Sequence, residues 1–256
     1  MPGSVLKRWN RASRRSSDWP REGHPIPEGR SAGEHAPAAM GSESESVSRE
    51  VAPVASKRSA VIDVVVVGGM SLLYVGMEAA DVAKRWSFAL VAVTLAVYAV
   101  YLVRSRTHTL RSLGFRRDNL RAGAFPVASC TAFAAGGVVV WALARDEALW
   151  SRDVLLLLAL YPVWAVVQQL AFQGLLHRGL MALVPIPALQ VLGTAGAFAC
   201  VHAGNSLLVA LTFVAGLGWS LLYRRWPNLW LLAASHTLLA ALAYPLVLAD
   251  APLSRV

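Results

Sequence analysis

The sequence predicts an all-α fold, a polytopic transmembrane helical bundle, and three observations carry that expectation. The 256 residues are 56% hydrophobic with a mean hydropathy of +0.49, and the apolar surplus comes in long blocks. One block, SFALVAVTLAVYAVYLV at residues 87–103, holds no charge and is long enough to cross a hydrocarbon core of about 30 Å. Basic residues gather in alternate connections between blocks, the usual signature of membrane topology. A soluble α/β domain also has apolar runs, but as shorter strands among amphipathic helices.

Residues 1–58 are a different material, dominated by Gly, Ser, Pro, Glu and Arg. Such a composition offers too little apolar burial to offset chain ordering, so this leader is expected to be disordered. The first long apolar run begins only after Arg58, which argues against a secretory signal. Met40, just before GSESESVSRE, is an alternative start of translation. A helical domain follows over 59–250, with apolar segments at about 60–79, 87–103, 122–144, 153–182, 188–202, 206–223 and 229–248. The fourth, near thirty residues, must tilt, kink or break, and Pro162 is its candidate kink. The fifth is short, as re-entrant or strongly buried helices are.

The net charge of +9 and pI near 10.2 raise the question of nucleic acid, and the positions answer it. Ten of the 24 basic residues precede Val61, and most others sit in short connections between apolar segments. No nucleic-acid partner is expected. Lys57 and Arg58 precede the first segment, six arginines fill the 104–121 connection, Arg178 follows the fourth segment, and Arg224 and Arg225 end the sixth. With seven crossings these share one side, so the sequence predicts a multi-pass protein of the cell membrane with a cytoplasmic N-terminus. Cys130 and Cys200 fall in apolar segments and read as small packing residues, neither disulfide nor zinc ligands.

Polar residues inside the segments need a reason, because unmet amides are costly in lipid. In VVQQLAFQGLLHRG, residues 166–179, Gln169, Gln173 and His177 recur every four residues and share one helix face, with Gln168 beside them. Hydrogen bonding between helices is the competing explanation for these amides. His177, next to Arg178, reads as interfacial. His202 falls at a helix end, where a cation suits the helix dipole. His236 lies well inside an apolar helix. Asp63 and Glu78 lie near the ends of the first segment, and nothing in the sequence ties them to the later histidines.

The order QQLAFQG, FACVH and SHTLLA, with LRSLGF before and GLGWSLLYRRWPNLWLLAASH between, resembles the CPBP family over about residues 110–244. That family of polytopic membrane proteins includes the CAAX prenyl endopeptidases and relatives linked to bacteriocin self-immunity. Its first motif is a Glu-Glu pair followed, after three intervening residues, by an arginine. Here those positions are Gln168, Gln169 and Gln173, with Phe172 and Gly174 kept. The second motif is intact as Phe198 and His202. The third keeps His236 but has Ala240 in place of Asn or Asp. The resemblance implies that one glutamate acts as general base on the attacking water. The histidines and the third motif would assist or steady the oxyanion, and a metal role is also proposed for the family.

An amide cannot take that proton, and glutamine brings no charge to a divalent cation. A conventional divalent metal site is therefore disfavoured, no metal ligand is assigned, and any cofactor is unknown. The replacement is coherent, since removing one sign of a buried charge cluster would strand the other. The expectation is a non-proteolytic CPBP-fold protein binding a membrane lipid, another apolar ligand or a membrane protein partner. Its site would comprise Gln168, Gln169, Phe172, Gln173 and Phe198, with His202 and His236. The alternatives are an enzyme acting on an isoprenoid or similar apolar substrate through those two histidines, or a still-active endopeptidase.

Overall fold

The computed structural model describes residues 56–248 apart from 81 and 83. The expected disordered leader lies almost wholly outside these residues, as does the choice between Met1 and Met40. The described elements are helices: α1 Lys57–Ala79, α2 Lys84–Arg104, α3 Leu110–Leu113, α4 Leu120–Leu143 and α5 Arg152–Gln169. A π-helical stretch, Leu170–His177, runs straight into α6 Arg178–Leu183. Then come α7 Pro187–Cys200, α8 Ser206–Arg225 and α9 Leu229–Leu246.

Short polar side chains set the helix starts. Ser56, Ser151, Asn205 and Asn228 each accept a hydrogen bond from the backbone N–H three residues on, meeting donors that the first helical turn cannot meet itself. Thr109 and Ser112 form a reciprocal capping box on α3. Gly114 then ends α3 with φ +102°, where an added Cβ would meet Leu229 at 2.9 Å and Tyr223 at 3.0 Å. The chain must turn there under a packed neighbour, and only glycine fits.

Six helical units are long and apolar enough to cross a membrane, counting Arg152–Leu183 as one unit of 32 residues. The remaining one of the seven expected segments, the short fifth, is α7, whose 14 residues reach only about 21 Å at roughly 1.5 Å per residue. It nonetheless joins the two ends of the bundle. Near its start, Gln190 accepts a hydrogen bond from Arg224 at the end of α8. Beyond its end, Gly204 lies against Glu78, near the far end of α1. The α8–α9 turn in its turn meets the α3–α4 connection, where Asn228 donates to the Arg116 carbonyl at 2.9 Å and Asn119 to that of Pro227 at 3.2 Å. The arginine-bearing connections thus share one end of the bundle.

In the core, α7 packs along α8, α4 and α5 pack on α9, and α1 packs on the π stretch and α6. The outer faces are apolar: Phe133 is 87% and Phe125 81% exposed. Rings so placed suit acyl chains and would be an aggregation liability in water. Cys130 and Cys200 are free and exposed on this apolar surface, so the expectation that they pack inside is corrected.

The long fourth segment changes its helical geometry part-way along. α5 runs through Pro162, and the irregular backbone begins only at Leu170. The π stretch presses against α3: a Cβ on Gly174 would stand 2.9 Å from the Leu113 carbonyl. π-helical turns recur at functional sites because they re-aim side chains within a continuous helix.

Candidate functional site

Residues 170–177 are all buried, and the π stretch with the end of α5 directs the three glutamines inward. Gln169 is 2% and Gln173 1% exposed. The Gln169 amide nitrogen lies 3.3 Å from His236 Nδ1 in α9, and Tyr161 Oη lies 3.4 Å from His236 Nε2. Tyr161 in turn donates to Gln168 Oε1 at 3.2 Å. An amide N–H can only donate, so Nδ1 accepts and Nε2 carries the proton. The chain Gln169–His236–Tyr161–Gln168 is therefore a run of neutral hydrogen bonds in one direction. The imidazole stacks near Trp219, centroids 4.5 Å apart, with the Phe198 ring at 5.6 Å.

Gln173 belongs to a second cluster, donating to Ser220 Oγ of α8 at 3.1 Å. His177, expected at an interface, has 0% exposure. Its Nδ1 lies 2.8 Å from Thr194 Oγ1, whose proton goes to the Gln190 carbonyl, so His177 is the donor. Gln169 Oε1, Gln173 Oε1 and His177 Nε2 are buried without a hydrogen-bond partner, each at a cost of about 1–3 kcal/mol.

Beside these clusters opens a cavity of about 410 Å³ between α1, α2, α5, the π stretch, α8 and α9. Gln168, Phe172 and His202 line it, while Gln169, Gln173, Phe198 and His236 do not. Phe172 and Phe198 meet edge to face at 5.1 Å, which makes Phe198 backing for the wall. His202 sits just past the end of α7 with Nδ1 2.8 Å from the Phe198 carbonyl. It therefore donates to one of the carbonyls that the helix end leaves over. Glu78, left untied by the sequence, lines the same cavity as His202.

The donors at the motif positions do not fit a divalent metal. Two of them are amides without charge, and both His236 nitrogens are hydrogen-bonded. Among the described residues, no group of three or more His, Cys, Asp or Glu side chains converges.

A third cluster was not legible in the sequence. Asp63 of α1 is 1% exposed. It accepts from Tyr98 at 2.8 Å and lies 2.8 Å from His108 Nε2, while His108 Nδ1 faces Arg178 Nη1 at 3.1 Å. Guanidinium only donates, so His108 is protonated on Nε2 and bridges a buried cation to a buried carboxylate. Nearby, outside the long helices, a hydrogen bond from Arg116 holds the Asp118 carboxyl below the usual aspartate range.

Residues 150–242, α5 through most of α9 and thus the glutamines and both motif histidines, match the family model described as type II CAAX prenyl endopeptidase Rce1-like. That stretch is similar to an Rce1-like domain. This bears out the CPBP resemblance and the polytopic helical fold. Searches of the curated proteins and of the solved structures found no match.

Within the matched stretch, the two halves of the expected site separate. Gln169, His236 and Tyr161 form a sealed polar knot, while Gln168, Phe172 and His202 face the cavity. Tyr161 escaped the sequence reading, although it lies seven residues before Gln168 and so on the same helical face.

Proposed function

We propose that this protein is a non-proteolytic Rce1-like membrane protein that binds a membrane lipid or similar apolar ligand. One observation carries the reading: the cavity beside the degenerate motif is lined by Gln168 where a carboxylate would be needed. An amide there can orient a ligand but cannot take a proton from water. His236 is ill-suited to replace the lost base, because Nδ1 accepts from Gln169 and Nε2 carries its proton toward Tyr161. The cavity walls supply the rest of a ligand site, with Val67, Leu95, Ala171 and Phe172 as apolar surface and a few polar groups. The proposed location is the cell membrane with the basic end cytoplasmic, and no nucleic acid is involved.

The test uses purified full-length protein and a plugged variant, Ser71→Trp, which places an indole in the cavity. Mass spectrometry of protein extracted in mild detergent should find a co-purifying apolar amphiphile, depleted by Ser71→Trp. A farnesylated CAAX peptide should remain uncleaved. Cleavage by wild type, lost in His202→Ala, would overturn the non-proteolytic reading, and equal lipid content in both proteins would overturn the cavity as its site.

A further inference from the structure

Gln168 stands at the end of a run of hydrogen bonds whose direction is set from the other end. Gln169 Nε2 can only donate, so His236 Nδ1 accepts and Nε2 carries its proton toward Tyr161 Oη. Tyr161 then gives its own proton to Gln168 Oε1. The run thereby assigns the Gln168 amide, with its oxygen turned inward and already taken. Each bond in such a run polarises the next, which strengthens the donor left at the end.

That donor is Gln168 Nε2, which carries two N–H groups. Among the described residues it meets no acceptor, although Gln168 is only 7% exposed. Unlike the Oε1 atoms of Gln169 and Gln173 it is not sealed, and the open space beside Gln168 is the cavity. A donor so placed calls for an acceptor carried by the ligand, because an N–H left unmet beside apolar walls costs free energy.

The rest of the wall narrows the kind of acceptor. No lysine or arginine lines the cavity among the described residues, so an anionic head group would find no ammonium or guanidinium to pair with. The carbonyl oxygen of a ketone, ester or quinone is neutral and accepts from an amide N–H without that penalty. Tyr74 and Phe88 have centroids 5.7 Å apart, and Phe88 meets Trp164 edge-on at 4.8 Å. With Val67, Leu95 and Leu208 these rings offer the apolar surface that the remainder of such a molecule needs.

We infer that the cavity selects an apolar ligand bearing a neutral carbonyl group, whose oxygen accepts from Gln168 Nε2. This rests on the ligand-binding reading above and names the polar group of the ligand. Binding is read from melting-temperature titrations of the full chain in maltoside micelles, using three probes that share an undecyl chain: methyl undecyl ketone, tridecane and dodecanoate. Wild type, Gln168→Met, Tyr161→Phe and Ser71→Trp are compared. The ketone should bind wild type most tightly, and its preference over tridecane should fall about threefold to tenfold in Gln168→Met. Tyr161→Phe, which keeps the amide but frees its oxygen, should lose part of that preference. The infrared carbonyl stretch of the bound, isotope-labelled ketone should lie lower in wild type than in Gln168→Met. Equal binding of ketone and tridecane, or tightest binding of dodecanoate, with Ser71→Trp blocking them, overturns the carbonyl assignment while the cavity reading stands. If no probe shows binding that depends on Ser71, both fall.

Discussion

At the scale of single residues, burial decides what each glutamine tolerates. Gln169 is sealed against His236, whereas Gln168 lines the cavity and already receives the Tyr161 proton. A carboxylate at 169 is therefore costlier than one at 168. Gln169→Glu should lower the melting temperature in detergent by several degrees, an unpaired buried charge being worth about 3–5 kcal/mol, and Gln168→Glu by less. Adding Gln173→Arg should recover part of the loss by restoring the opposite sign. Equal melting temperatures for all variants would show that these side chains reach water.

The Asp63–His108–Arg178 chain makes a second prediction at this scale. Asp63→Ala leaves Arg178 facing a neutral imidazole in a buried setting and should destabilise by about 3–5 kcal/mol. The double variant Asp63→Ala/Arg178→Met should cost clearly less than the two single losses added together. Thermal melts of the complete cycle measure this, and strict additivity would mean that the cation and carboxylate do not act through His108.

At the scale of elements, glycine marks where helices touch. An added Cβ on Gly179 would meet Val64 at 2.7 Å and the Ala60 carbonyl at 3.0 Å. Gly179→Ala should push α1 away from α6 and cost about 1–3 kcal/mol. Gly137 on α4 has nothing within 4 Å of such a Cβ, so Gly137→Ala should be neutral or slightly stabilising through helix propensity. Paired melting curves check the contrast. The same α1 contact explains why the π stretch matters: it holds the glutamines inside while α6 stays pinned to α1.

At the scale of the whole molecule, the short α7 raises the question of sidedness, and the shared basic end gives the prediction. In a background of Cys130→Ala/Cys200→Ala, Arg117→Cys should be protected from an impermeant thiol reagent in intact cells, and Glu147→Cys should label. Both positions are exposed and lie at opposite ends of α4. The reverse pattern would invert the orientation drawn from the positive charges.

Much of this architecture was legible in the sequence, because the signals behind it are local. Apolar runs of spanning length gave the helices to within a few residues, and arginines marked the alternate connections. The spacing of QQLAFQG, FACVH and SHTLLA carried the CPBP resemblance, and residues 150–242 match an Rce1-like family model. What a residue meets across the bundle is not local. Asp63 and His108 are 45 residues apart, and His108 and Arg178 70, so no periodicity links them. The π stretch at Leu170–His177, packed against α1 and α3, likewise has no local signal in the sequence. Sequence alone thus determined a multi-pass helical protein with neutral amides inside its fourth apolar segment. Only the tertiary structure decided which amides face a cavity, because helix packing sealed Gln169, Gln173 and His236 and left Gln168 and His202 on the cavity wall.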